Sequence, residues 1–265
     1  MSKYPLKVYK YRGWNSDNDK NVLLENQLFF TSPKDFNDPF DCRIPYDFSL
    51  LDDDTKINMY LAQKENDSKN TISQENLKKL IKDFELKLRN QAVKVQEEYN
   101  TLYFDGVDKH FGVLSLSERW DSILMWSHYA DHHRGYCVGF WEEKLRKNFY
   151  VSGGQVIYPK DNSFPRLSPI GDDIENMIQQ SHAKSSDWSY EKEYRLAKIF
   201  YPEIATTTDR IQLYPDHFIS EIVIGLTASP QTKEELIQIG KIKNVEVYEC
   251  IKKPFKFEID RRQLL

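Results

Sequence analysis

Trp188-Ser189-Tyr190-Glu191-Lys192-Glu193-Tyr194-Arg195 sets two carboxylates two positions apart, flanks them with aromatic rings and puts an arginine two residues further on. At strand spacing Glu191, Glu193 and Arg195 share one face, and Tyr190, Lys192 and Tyr194 the other. The row runs straight into apolar Leu196-Ala197. Charges beside a core need partners or a ligand, and a lone fixed carboxylate is the kind of group that stabilises a cationic transition state. The same pattern also describes a solvated strand edge laced by cross-strand ion pairs.

Around this strand, expected over 190–200, the chain alternates short β-type runs with helices. Upstream, 4–12 reads as a strand ending at Arg12, 16–21 as a polar loop, 22–26 as one or two helical turns and 28–31 as a strand. Phe36-Asn37-Asp38-Pro39-Phe40-Asp41 is a turn in which Asn and Asp bond their own backbone and Pro fixes φ. From 52 to 105 the charges are dense and balanced, and a stripe from Leu77 through Leu88 to Val95 and Tyr99 has helical spacing. It predicts helices over about 54–64 and 73–100, the second capped by Ser73. Strands follow at 112–117, 136–140 and 155–158. A helix runs from Asp121 or Ser122 to about 131 and is ended by Gly135, and another runs from Asp172 or Asp173 to about 185. The last units are strands at 211–214, 221–225 and 245–250 with a helix at 232–240, the final strand-helix-strand returning parallel. The fold class expected is α+β, with mixed, mostly antiparallel sheets in a single domain over 1–265 and a helical insertion at about 52–105.

The 265 residues, 40% apolar and 14% aromatic, suit an ordered globular protein. A formal net charge of −4 gives no sign of general nucleic-acid binding. No 18-residue apolar run or signal-peptide core is present, and three scattered cysteines form neither a disulfide framework nor a zinc knuckle. These features point to a reduced, cytoplasmic protein without a membrane segment. Walker, Gly-x-Gly-x-x-Gly, Gly-x-Ser-x-Gly and His-Glu-x-x-His motifs are missing from the sequence. His128 and His132 stand at i and i+4 but lack an intervening glutamate, and no metal is expected. His128 and Tyr129, mid-helix beside Trp126, read equally as structural hydrogen-bonding groups and as ligand contacts. Arg12 suits phosphate binding at a strand end or an ordinary surface position, and Lys184 reads by default as a snorkelling lysine.

Several ordered blocks carry a resemblance: Tyr11-Arg12, 28–33 through 36–41, Ser115-Leu116-Ser117, 125–130, 133–140, 188–195 and 222–225. Together they resemble bacterial domain-of-unknown-function family 2971. More distantly, an arginine on the first strand, a serine on a middle strand and a glutamate on a late strand resemble the ADP-ribosyltransferase superfamily. That second resemblance implies a core built for NAD as substrate and a toxin or anti-phage defence role. It implies Glu193 as the catalytic glutamate with Glu191 as its upstream partner. It also implies a cofactor-binding wall from Tyr11, Arg12, Asn37, Asp38, Ser115, Trp126, His128 and Tyr129. The acceptor would be a nucleic acid, a protein or water, and a partner protein would dock on the helices at 54–100. A non-catalytic nucleotide- or partner-sensing module and a nuclease-type effector are the alternatives.

Overall fold

A computed structural model describes residues 4–68, 73–149, 151–171 and 173–265. The chain opens with β1 (Lys7–Arg12), α1 (Asp17–Leu24) and β2 (Gln27–Phe29), then passes through an irregular stretch into α2 (Asp54–Ser68), α3 (Gln74–Asn90) and α4 (Ala92–His110). Next come β3 (Phe111–Ser117), α5 (Ile123–Tyr129), β4 (Tyr136–Trp141), α6 (Glu142–Phe149), β5 (Ser152–Gln155) and α7 (Asp173–His182). A 3-10 turn (Ser186–Glu191) leads into β6 (Glu193–Ile199), α8 (Thr207–Arg210) and β7 (Ile211–Leu213). The chain finishes with β8 (Ile219–Ile224), α9 (Pro230–Lys243), β9 (Val247–Lys252) and β10 (Ile259–Gln263).

Eight strands form one sheet in the order β10-β9-β8-β4-β1-β3-β6-β5, while β2 and β7 pair separately. Every pairing between these strands is antiparallel except β8 with β9, which are joined by α9 as the strand-helix-strand pattern predicts. This is a mixed α+β architecture with a mostly antiparallel sheet. One face packs Val8, Leu114, Val138, Tyr194 and Leu236 into the main core. The opposite face packs Tyr9, Tyr11, Met125, Trp126 and Cys137. A third cluster packs Tyr60, Leu88 and Val95 of α2–α4 against Ile44, Phe48 and Leu167 from outside those helices.

The sheet has a seam between β1 and β3. β1 pairs with β4 from Lys7↔Trp141 to Arg12↔Tyr136, but its register with β3 is confined to Tyr9↔Ser117. Beyond that point the strands part, and Lys10 reaches across so that its Nζ donates to the Ser115 carbonyl at 2.7 Å.

Several boundaries differ from the sequence reading. The polar loop at 16–21 is helical: Ser16 accepts from Asp19 N–H as N-cap, and Asp17 and Asp19 favour the positive helix end. The long helix at 73–100 is two helices broken at Gln91 (φ −143°, ψ 43°), and α4 continues through Gly106 to His110. Leu88 and Val95 are seven residues apart on either side of the break, so the apolar stripe stays in phase and hides it. The strand at 155–158 lies earlier, as β5, and α6 and β10 are additional elements. Asp172, one candidate helix start, lies outside the described residues.

The helix expected to reach 131 stops at Tyr129. Asp131, His132 and His133 follow in left-handed conformation, with φ of 47°, 53° and 69°. His133 N–H bonds the Trp126 carbonyl at 3.1 Å and Gly135 N–H the Ala130 carbonyl at 2.9 Å, closing the turn. His132 is therefore off the helix, and the i, i+4 relation to His128 does not hold. A Cβ on Gly135 would sit 2.0 Å from the Arg12 carbonyl oxygen, so only glycine lets the turn pack against the end of β1.

Candidate functional site

The Glu-x-Glu-x-Arg row does not form one continuous strand. Glu191 ends the 3-10 turn, Lys192 is left-handed (φ 45°, ψ 50°), and β6 begins at Glu193. β6 lies between β3 and β5 rather than at the solvated edge of the sheet. Its charged face is buried: Glu193 is 4% and Arg195 0% exposed. In register, Ser117 stands opposite Glu193 and Ser115 opposite Arg195.

Arg195 is the hub. Its Nε and Nη2 donate to the two Glu193 carboxylate oxygens at 2.8 and 2.9 Å. Nη1 and Nη2 donate to both Asp41 oxygens at 2.8 and 2.5 Å, and Nη1 also reaches the Ser181 carbonyl at 2.7 Å. A planar guanidinium is suited to such two-sided bidentate binding. It is thus an ion-pair partner of the row. Lys184 is buried too, with Nζ 2.6 Å from Glu191 Oε2, 3.1 Å from Glu193 Oε2 and 3.7 Å from Asp41 Oδ2. Burial alone would lower the Lys184 pKa, but the carboxylates outweigh it and keep the ammonium charged.

The two glutamates differ. Burial would raise Glu193, but Arg195, Lys184 and a hydrogen bond from Ser115 hold it well below the usual carboxylate range. Burial raises the Glu191 pKa above its ordinary value, with Lys184 and Tyr129 opposing. Tyr129 Oη donates to Glu191 Oε1 at 2.6 Å, Asn37 bonds the Tyr129 phenol in turn, and Ser117 Oγ holds the Glu191 carbonyl at 2.6 Å.

These groups surround a cavity of 110 Å³ at the β1–β3 seam, lined by Lys10, Tyr11, Arg12, Asn37, Ser115, Tyr129, Glu191 and Glu193 among others. Burial and the neighbouring Arg12 hold the Lys10 pKa well below the ordinary lysine value. Arg12 meets only Asp19, at 4.0 Å, and its Nε is buried without a hydrogen-bond partner among the described residues. A second cavity of 510 Å³ shares Asn37 and Lys184 with the first.

The sequence-predicted residues divide cleanly. Tyr11, Arg12, Asn37, Ser115, Tyr129, Glu191 and Glu193 converge on the smaller cavity, although the Tyr11 ring also packs edge-on against Trp126 at 5.2 Å. Asp38 lines the larger one and accepts from Phe40 N–H at 2.9 Å. Trp126 is fully buried beneath the cleft and donates to the Trp120 carbonyl at 2.8 Å. His128 is exposed, facing the Tyr190 ring at 6.0 Å. Asp41 and Lys10 were missed. Lys184, read as a snorkelling lysine, is the ion-paired floor of the site.

Residues 125–196 match the model of a family described as protein of unknown function (DUF2971). The matched segment begins in α5 and ends in β6, so it carries Tyr129, Lys184, Glu191, Glu193 and Arg195. No curated protein and no solved structure matches the chain. Among the described residues no helix is long and apolar enough to cross a membrane, and no group of three or more His, Cys, Asp or Glu is arranged to hold a metal ion.

Proposed function

We propose that the cleft binds NAD and cleaves its nicotinamide–ribose bond, as an ADP-ribosyltransferase-like enzyme or NAD glycohydrolase. The observation that carries this reading is the contrast within one small cavity. Lys10, whose Nζ donates to the Ser115 carbonyl, and Arg12, whose ion pair with Asp19 is long at 4.0 Å and whose Nε is buried without a hydrogen-bond partner among the described residues, share it with Glu191, a carboxylate whose pKa is raised. Basic groups suit the diphosphate, and a preorganised carboxylate suits the oxocarbenium character that develops on the ribose.

The resemblance in sequence implies Glu193 as the catalytic carboxylate. Its full engagement by Arg195 and Lys184 favours a positioning role instead, and we assign the reacting carboxylate to Glu191. Bond breaking sends the C1′–N electron pair to the nicotinamide ring, and Glu191 receives the proton released by the incoming acceptor or water. The smaller cavity is below the usual ligand-pocket range of about 300–1,000 Å³. It suits the nicotinamide ring with the nearer phosphate against its Lys10–Arg12 wall, and the adenosine half extends past Asn37 and Lys184.

Nicotinamide release from NAD tests the reading. Glu191→Gln is expected to lower the rate by about 100-fold or more, and Arg12→Ala to raise KM. No release with any acceptor, together with no NAD-dependent thermal shift, sinks it. The full ion pairing of Glu193 also favours a second reading, a non-catalytic nucleotide-binding module. That reading predicts an NAD-dependent thermal shift, weakened by Arg12→Ala, with no nicotinamide released.

A further inference from the structure

The 510 Å³ cavity beside the seam has a different character from the polar cleft it adjoins. Phe40 is 63% and Phe164 46% exposed, with ring centroids 6.3 Å apart and planes tilted by 57°. Trp188 forms another wall, and Lys184 Nζ lies 4.8 Å from its ring centroid. Neither phenylalanine belongs to a core cluster, so their rings present apolar area to the chamber. Flat rings of this kind bind other flat rings, through stacking that does not depend on base identity.

Two carboxylates narrow the choice of ligand. Asp38 and Asp187 line the same chamber, Asp187 exposed. Beside them the only lysine of the lining, Lys184, is already ion-paired, which leaves no free cation for a phosphate, whereas a base with an exocyclic amine supplies the hydrogen-bond donors that carboxylates accept. Asn162 and Ser163 add polar groups to the wall. The chamber volume falls within the range of small-molecule sites, about 300–1,000 Å³.

We propose that this chamber is a nucleobase site, stacking an amine-bearing base on Phe40, Phe164 and Trp188. It does not rest on NAD turnover. The base has two sources of the same chemistry, the adenosine half of a dinucleotide in the cleft or a separate nucleic-acid acceptor.

Calorimetric titration of the intact protein with adenosine monophosphate, nicotinamide mononucleotide and a short single-stranded oligonucleotide tests it. The base-bearing probes AMP or oligonucleotide are expected to bind, and Phe40→Ala/Phe164→Ala is expected to weaken them about tenfold or more. Nicotinamide mononucleotide, which lacks the second base, is expected to be unaffected by that double substitution. Competition between AMP and NAD assigns the base to the dinucleotide, and oligonucleotide binding alongside NAD assigns it to the acceptor. Binding of neither AMP nor oligonucleotide, or binding indifferent to the double substitution, overturns the proposal. Both positions are exposed, and a circular dichroism melt confirms that the variant folds.

Discussion

Two buried glutamate clusters on this sheet show how differently the fold treats charge. Glu221, on β8, accepts from Lys7 Nζ at 2.6 Å, Arg261 Nη1 at 2.5 Å and Tyr9 Oη at 3.1 Å. Its side chain is 1% exposed, whereas Lys7 and Arg261 are 26% and 24% exposed. One carboxylate is thus enclosed by two cations whose heads still reach water. At the candidate site, Asp41, Glu191 and Glu193 share Lys184 and Arg195, which are themselves 6% and 0% exposed. Carboxylates outnumber cations there, and the excess faces a cavity whose other wall holds Lys10 and Arg12. The first cluster is cation-rich and partly open to water; the second is carboxylate-rich and lines a cavity whose other wall is basic.

Removing the hub should do the most damage. Arg195→Met leaves Asp41 and Glu193 buried against a single lysine, and unfolding in denaturant should show a loss of about 3–5 kcal/mol. Arg195→Lys should rescue little of it, because an ammonium cannot bind both carboxylates bidentately.

Acid titration is the next largest. Burial, then Arg195, lowers the His182 pKa from 6.5 to about 4. Above pH 6.5 neither the folded nor the unfolded chain is protonated there. Between 6.5 and about 4 the unfolded chain takes up the proton first, so stability falls as pH falls, by up to about 3 kcal/mol. Glu193, depressed in the fold, adds loss below the ordinary carboxylate pKa of 4.5. Denaturant midpoints measured at successive pH values should show both limbs, and His182→Asn should flatten only the upper one.

Smaller effects separate the two glutamate clusters most sharply. Glu221→Gln should cost about 1–2 kcal/mol, since its cations can rehydrate. Glu191→Gln should change stability by under about 1 kcal/mol, because it removes surplus charge and leaves Lys184 its bond to Glu193. The same substitution should slow nicotinamide release by about 100-fold or more. Equal stability losses from both substitutions would erase the distinction.

Much of the site was legible because its chemistry is concentrated in short blocks. The i, i+2 spacing of Glu191 and Glu193 brings both to one lysine, even with a left-handed residue between them. Met125 and Tyr129, at i and i+4, share the helix face that meets the cleft. What stayed hidden depended on long-range contacts or on the exact end of an element. Asp41 lies 154 residues from Arg195 and looks like turn chemistry locally. Lys184 is ambiguous until its three carboxylates are in place. His128 sits on the exposed side of α5, about 100° around the helix from Tyr129, which meets the cleft. The early strands were readable from alternation, while the break at Gln91 falls where the apolar period continues unbroken.

The turn at Asp131–His133 runs in the opposite hand to the helix it follows. For natural amino acids each such residue costs about 1–2 kcal/mol against the right-handed form, and here three occur in succession. At these positions the mirror-image amino acid would be at rest and the genetically encoded one is not. The seam beside Arg12 is therefore braced by a segment whose chirality the rest of the fold must overrule.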